Sequence, residues 1–219
     1  MAELITKADL LEKLRLFSEC PDDDNTIFKQ RIQNALLNCP ELLYAINEGD
    51  LESELFNDDG TINYDGEWDR YFSDSYHDGN IRPYLFIPDT QDNVKNYVCY
   101  QSSFETMPRY NTVEKYALVT FTIFVHSGDR IDADTGLPRH DLIGAILKDK
   151  LNWTNIFGTQ CKVVSDKETT TDFKYVVRTI TFQCTVPNSI VQTTIYKDGD
   201  KKRTSTYAVN NIGKNGRWY

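Results

Sequence analysis

One stretch of alternating residues constrains the fold of this chain more than any other. Residues 116–126 read YALVTFTIFVH. Every second side chain is apolar, and these side chains share one face of a strand, because successive residues point to opposite sides: Ala117, Val119, Phe121, Ile123 and Val125. The other face mixes apolar and polar side chains. This pattern is typical of a sheet that packs on a core on one side only.

The strand opens a unit that spans residues 116–186. A polar loop over 127–140 comes next, and Asp141 is the predicted N-cap of a helix that runs to about Trp153. Within the helix, the apolar residues share a face: Leu142, Ile143, Ile146, Leu147 and Leu151.

The unit ends in two strands. Residues 161–165 predict a short strand, 166–171 a loop, and 172–186 a second strand with alternating apolar residues. Arg178 falls among these apolar positions. We expect it either to form a salt bridge at a sheet end or interface, or to reach water at a strand edge.

Helices are predicted before this unit. Thr6 and Asp9 resemble a capping box ahead of a leucine-rich stripe, Pro21 ends that segment, and a second helix is predicted over about 25–37. Pro40 suits the first turn of a short third helix.

The organisation that follows has four parts. Residues 1–48 are N-terminal helices, and 49–82 are an irregular acidic and aromatic insertion pinned by its aromatic side chains. Residues 83–187 form the core domain, with short extended segments at 83–88 and 96–101. Residues 188–219 form a C-terminal hairpin and arm that carries the Asp198-Gly199 turn signal. The predicted class is α+β, with an antiparallel or mixed β-sheet flanked by helices.

Composition excludes several classes of protein. The chain has 219 residues and a formal net charge of −9, which argues against a protein that chiefly grips nucleic-acid phosphates. No apolar run reaches the roughly 18 residues needed to cross a bilayer. The start of the chain is acidic and polar, so we expect no export. The five cysteines lack metal-site spacing, and we expect reduced, partly buried thiols and no zinc.

Two acidic segments are candidates for metal chemistry. Residues 57–63 (NDDGTIN) imitate the centre of a calcium loop, but Leu55 and Gly66 occupy positions that must supply oxygen ligands, so a turn is favoured. A second group lies around the polar loop, near His126 and His140, and its acids suit Mg²⁺ for a nuclease only if rigid elements hold them: Asp129, Asp132, Asp134 and Asp141. We favour a solvated loop or a weak cation site.

Motifs of common enzymes are absent from the sequence. It contains no GxSxG, Walker P-loop, GxGxxG or HExxH. The expectation is therefore a protein that is not an enzyme and needs no metal or cofactor.

The unit at 116–186 resembles the tail-terminator and tail-completion (neck) proteins of tailed bacteriophages. The resemblance is carried by the strand YALVTFTIFVH, the helix HDLIGAILKDKLNW and the returning strand YVVRTITFQC. It implies a structural virion subunit that closes into a hexameric ring at the head-proximal end of the tail. Such a ring ends the tail tube and joins it to the head-side connector or stopper protein.

The resemblance also implies partners and a location. Six copies would carry about −54 charges, which would let genomic DNA pass through the lumen without specific binding. The subunit would assemble in the host cytoplasm, would bind no membrane and would end in the tail or neck of the virion. Another neck ring, either a stopper or an adaptor, and a metal-dependent nuclease are the alternatives.

Contacts with neighbours are predicted at two places, where charged groups would steer docking and aromatic groups would anchor it. The polar loop contributes charged residues: Asp129, Arg130, Asp132, Asp134 and Arg139. The end of the chain contributes Arg217, Trp218 and Tyr219.

Overall fold

A computed structural model of the chain describes residues 6–19, 24–74, 76–86, 88, 94–106, 114–157, 159–171 and 174–187. Helices flank one five-stranded mixed sheet, which confirms the predicted α+β class. The predicted C-terminal arm over 188–219, with Arg217, Trp218 and Tyr219, lies outside the described residues, as does Cys20.

Five α-helices belong to the described part of the chain: α1 (Lys7–Glu19), α2 (Asp24–Leu37), α3 (Pro40–Ile46), α4 (Glu52–Leu55) and α5 (Arg139–Leu151). The predicted capping box opens α1, since the Thr6 amide donates to Asp9 Oδ2 at 2.7 Å and the Asp9 amide donates to Thr6 Oγ1 at 3.3 Å. Pro40 begins α3 as predicted. None of the described helices is long and apolar enough to cross a membrane.

The sheet has the order β1-β2-β3-β5-β4. Its strands are β1 (Ile81–Arg82), β2 (Tyr97–Thr106), β3 (Glu114–His126), β4 (Lys162–Thr171) and β5 (Tyr175–Pro187). The short β1 pairs with β2 in parallel, and the other neighbours are antiparallel. The predicted alternating strands therefore sit side by side at the centre, as β3 and β5.

One face of the sheet carries the main core. Phe121 of β3 pairs with Tyr100 of β2 and with Ile180 of β5, and all three side chains are buried. The helix α2 packs on β2, α5 packs on β3 and β5, and α3 packs on α5. The hydrophobic effect thus places every one of these helices on the apolar face that the alternation predicted.

The opposite face, called the open face below, is covered at one end only by the described residues. There Phe86 packs on a small buried cluster that includes Tyr97 and Phe124. The Arg82 guanidinium lies 3.9 Å from the Phe86 ring centre and 4.8 Å from that of Tyr97. The other end of this face presents partly exposed side chains, among them Tyr116, Leu118, Thr120, Thr181 and Gln183.

Three aromatic side chains hold the acidic insertion against the rest of the subunit. Trp68, Tyr71 and Phe72 are buried, and the Trp68 indole N–H donates to the Glu54 carbonyl at 2.9 Å. Tyr76, by contrast, is 91% exposed. Short helical turns rather than long elements fill this segment, because its apolar residues lack a sustained period.

Several element boundaries were predicted wrongly. Asp141 is not the N-cap of α5: Pro138 holds that position and Asp141 lies in the first turn. The predicted loop over 166–171 is part of β4, whose polar edge sequence hides the alternation. The short parallel strand begins at Ile81 rather than in the predicted segment 83–88.

The described cysteines are all free and buried: Cys39, Cys99, Cys161 and Cys184. This agrees with the expectation of reduced thiols in an apolar setting. Burial raises the pKa of Cys161 to about 12 and that of Cys184 to about 11, so both stay as thiols near neutral pH.

Candidate partner-binding surface

The polar loop that precedes α5 has a fixed shape. Ile131 and Pro138 form an isolated antiparallel bridge. The Asp132 amide donates to the Leu137 carbonyl, and the Gly136 amide donates to the Asp132 carbonyl, each at 2.9 Å. Gly136 has φ +69, a left-handed conformation that glycine adopts without a Cβ clash. The loop is therefore a closed turn.

Arg139, the first residue of α5, fastens this loop to α3. Its Nε lies 2.9 Å from Asp129 Oδ2, and its Nη1 lies 3.1 Å from Asp132 Oδ1. Nη1 also donates to the Ala45 carbonyl at 3.0 Å. That carbonyl belongs to the last turn of α3, where no helical N–H can reach it. The Arg139 side chain is only 5% exposed, so these bonds are shielded from water.

Asp129 ties the loop to two further elements. Its Oδ2 accepts from Asn47 Nδ2 at 3.0 Å and from Asn96 Nδ2 at 2.6 Å. Asn96 also donates to the Ile46 carbonyl at 2.9 Å, and its Oδ1 accepts from the His126 amide at 3.0 Å. One buried asparagine thus joins α3, the start of β2, the end of β3 and the loop.

Asp132 is held in its charged form. The Thr135 hydroxyl donates to Asp132 Oδ2 at 2.7 Å and the Thr135 amide donates to it at 3.0 Å. These hydrogen bonds, with Arg139 beside the carboxylate, hold the pKa of Asp132 below its usual range even though burial opposes them. The loop keeps its internal ion pairs at neutral pH as a result.

Four of the exposed residues of this loop are here called the loop tip: Arg130, Ile131, Asp134 and Leu137. Ile131 is 56% exposed and Leu137 is 50% exposed. The Tyr44 hydroxyl of α3 donates to Asp134 Oδ2 at 2.9 Å, which holds the carboxylate in place. The tip combines apolar area with charge on a rigid support.

The predicted contact residues therefore divide into two groups. Asp129, Asp132 and Arg139 bond to one another and to α3 inside the subunit. Arg130 and Asp134 lie in the exposed loop tip. The first group positions the second.

A second ionic cluster joins α5 to the sheet through Arg178. Its Nε and Nη2 donate to the two oxygens of Asp166 at 2.9 and 2.8 Å, and its Nη1 donates to Asp141 Oδ1 at 2.6 Å. The salt bridge that the sequence analysis weighed for Arg178 is present. Hydrogen bonds from Arg178, and from Lys148, lower the pKa of Asp166 to about 2.

His140 lies beside this cluster. Its Nε2 is 3.2 Å from Glu168 Oε1 and 3.8 Å from Asp141 Oδ1. Among the described residues, these three form one set whose ligand atoms lie within 4.8 Å of one another, close enough to hold a divalent cation. Two features oppose that use: Arg178 already neutralises Asp141, and the buried His140 Nδ1 has no acceptor to orient the ring.

Sequence reasoning missed a cleft at the other end of α5. It has a volume of about 500 Å³, and its lining residues are Tyr116, Trp153, Gln160, Lys162, Gln183, Cys184 and Thr185. Trp153 was predicted to end the helix, because the apolar spacing continues to it. Instead it has φ +62, its amide donates to the Cys161 carbonyl at 2.6 Å, and its side chain is 62% exposed.

Comparison with known proteins gives one family. The family described as YomW matches residues 40–184, which is more than half of the chain. Among curated proteins, none matches. The matched range covers α3, the loop, α5, every lining residue of the cleft except Thr185, and nearly all of the sheet.

Proposed function

The chain belongs to the YomW family of phage-derived proteins, and from that premise we propose that it is a structural protein of the virion. In this proposal the subunit forms a ring, expected to be a hexamer, at the head-proximal end of a phage tail. The ring terminates the tail tube and joins it to the head-side connector or stopper protein. The subunit performs no catalysis and needs no cofactor.

The observation that carries this proposal is the rigidly supported loop tip. Arg139 and Asp129 bond to each other and to α3 and the start of β2, and these bonds fix the loop in place. Side chains held in one geometry lose little conformational entropy when a partner binds. A loop built this way suits a docking surface better than a catalytic site, in which the carboxylates would face substrate.

Free strand edges favour assembly with further copies. On the described part of the chain, β4 pairs with β5 on one side, and no strand covers its other side. An edge of ten residues is a template for pairing with a neighbour, and closed rings are one way to cover such edges.

The charge of the chain is compatible with a ring through which DNA passes. A net charge of −9 per subunit repels phosphates, so the genome would pass the lumen without specific binding. This argument applies equally to a stopper or an adaptor ring, which remain the second candidates for the same particle.

The metal-dependent nuclease is the rival from another class. Its candidate acids Asp129 and Asp132 are engaged by Arg139. The third, Asp134, accepts from the Tyr44 hydroxyl, and the fourth, Asp141, accepts from Arg178. Each carboxylate is thus already bonded to a donor within the subunit, which leaves less of its capacity for Mg²⁺.

Deletion of the gene from the phage that encodes it tests the proposal. We expect filled heads that carry no tails, together with free tails of abnormal length, and we expect the complete gene in trans to restore joined particles. Normal particles after deletion would contradict the proposal. So would Mg²⁺-dependent cleavage of DNA by the purified protein that is lost when Asp132 and Asp134 are replaced by Asn.

A further inference from the structure

Trp153 holds a backbone conformation that does not suit it. A left-handed residue with a Cβ costs about 1–2 kcal/mol relative to the right-handed form, and glycine or asparagine is the usual choice there. Two backbone hydrogen bonds at the base of the loop after α5 fix this backbone conformation. The Trp153 amide donates to the Cys161 carbonyl, and the Cys161 amide donates to the Thr154 carbonyl at 3.0 Å. A side chain that is 62% exposed gains little burial to offset the cost. A tryptophan here points to a contact beyond the described residues.

The surroundings of Trp153 have the composition of a binding site for another protein. Tyr116, Gln183 and Thr185 come from the open face of β3 and β5, and Lys162 stands at the start of β4. Lys162 is exposed and is the one charged residue among those that line the cleft. Exposed tryptophan and tyrosine are the residue types that most often anchor interfaces. The described lining of the cleft thus combines two aromatic side chains with several polar ones and a single positive charge, that of Lys162.

The loop tip carries one acid and one base, and its Tyr44 side is acidic. Ile131 and Leu137 expose about half of their surface, and Asp134 is held beside Tyr44. The carboxylates of Asp134 and Glu52 both act on the Tyr44 hydroxyl and raise its pKa, so two acids lie at the Tyr44 side of the tip. Arg130 is the exposed base of the tip.

The two surfaces lie at opposite ends of α5. The loop tip precedes Arg139, the first residue of the helix, and Trp153 follows two residues after Leu151, the last. Thirteen helical residues separate the ends by about 20 Å. A single subunit therefore carries both surfaces, too far apart to meet within itself.

We propose that the cleft beside Trp153 binds the loop tip of a second copy of this chain. Trp153 and Tyr116 pack on Ile131 and Leu137 of the neighbour, and Lys162 pairs with the neighbour's Asp134. Contacts of this head-to-tail kind build a ring when the rotation between copies closes, and a filament when it does not. The ring itself is part of the proposed function, on which this inference rests, and the inference adds which two surfaces form its interface.

Photocrosslinking tests the contact with the full-length protein. Leu137 is replaced by p-benzoylphenylalanine, and the protein is irradiated both in concentrated solution and within assembled phage particles. We expect a covalent dimer in at least one sample, with the crosslink mapped by mass spectrometry to Trp153, to Tyr116 or to their neighbours in the cleft. An adduct at another site, an adduct with a different protein alone, or no dimer in either sample overturns the proposal.

The variant Trp153→Asn separates docking from folding. Asparagine tolerates the left-handed conformation, so we expect a melting temperature equal to or above that of the wild type. The yield of the crosslinked dimer should fall at least about 10-fold, as for the loss of an interface anchor. Tyr84→Asn, which removes a 47% exposed aromatic side chain elsewhere, is the matched control and should leave the yield unchanged. An unchanged yield in Trp153→Asn would contradict the inference.

Reversal of charge tests the ionic part of the same contact. Lys162→Glu and Asp134→Lys should each lower the dimer yield, and the double variant should restore much of it. Failure of this contact is distinguishable from failure of the proposed function. If the protein sits in a ring at the head-proximal end of the tail but crosslinks through other surfaces, the ring stands and the assigned interface is wrong.

Discussion

At the scale of single residues, the Arg139 side chain decides how the loop tip is held. It is 5% exposed and pairs with two carboxylates that are 14% and 9% exposed. A buried ion pair contributes little net stability compared with an apolar pair, but the loss of one partner leaves uncompensated charge. The residue is therefore a positioning group whose removal should cost more than that of an exposed charge.

We predict that Arg139→Met lowers the free energy of unfolding by about 3 kcal/mol, because Asp129 and Asp132 would stay buried without their cation. Urea denaturation monitored by circular dichroism measures this. The neighbouring Arg130, which is exposed, provides the control: Arg130→Met should change stability by less than about 0.5 kcal/mol. Equal effects of the two substitutions would contradict the role given to Arg139.

Asp166 gives a prediction about pH. Its folded pKa is lowered to about 2 by Arg178, below the ordinary value near 3.8. A lowered folded pKa stabilises the protein above the unfolded pKa, and this stability is lost as the pH falls towards the folded pKa. Asp166→Asn should thus be less stable than the wild type at pH 7. The difference should shrink between about pH 4 and pH 2, as measured by denaturation at a series of pH values.

At the scale of elements, Gly144 sets how closely α5 approaches β5. A Cβ at this position would lie 2.8 Å from Arg178 Nη1 and 2.9 Å from Arg178 Cζ. The guanidinium cannot move aside freely, because Asp166 and Asp141 hold it from two directions. Alanine would otherwise stabilise the middle of a helix by about 1 kcal/mol relative to glycine.

A double-mutant cycle therefore has a predicted change of sign. Gly144→Ala should destabilise the wild type by about 1 kcal/mol or more, since it displaces Arg178 from its carboxylates. In the Arg178→Met background, the same substitution should be neutral or stabilising by up to about 1 kcal/mol. Thermal or urea denaturation of the four proteins measures the cycle, and the same sign in both backgrounds would refute this account of Gly144.

The elements that the sequence predicts best are those whose periodicity comes from burial. The alternation in β3 and β5 arises because one face of the central strands is buried, and this alternation predicted both strands from the sequence alone. The second half of β4 was missed because an edge strand can carry polar side chains on both faces, as Lys167 and Glu168 do here. The start of α5 was predicted too late in the sequence. Asp141 is a residue type that helices prefer at the N-cap, but the backbone already turns into the helix at Pro138.

The two candidate surfaces could be predicted only in part from the sequence. The sequence singled out the charged residues of the loop as contacts, which stays a prediction. Their division into inward and outward groups depends on Ala45, Asn47 and Asn96, which lie far away in sequence. The cleft could not be predicted either, because it too depends on residues that are distant in sequence. Trp153 continues a helical spacing, and only the pairing of its amide with Cys161 shows that it leaves the helix.

At the scale of the whole molecule, the described residues cover one sheet face, leave most of the other open, and form distinct surfaces at the two ends of α5. This arrangement suits a protein that works by contact with neighbours. The chain belongs to a phage-derived family, and the proposed function takes the neighbours to be parts of a phage particle.

Electron cryomicroscopy of the phage particle tests the central proposal most directly, with the protein located by an antibody or a fused tag. We predict a ring of this subunit at the head-proximal end of the tail, between the tail tube and the head-side connector. Absence of the protein from the purified particle, or its location at the distal end of the tail, would contradict the account.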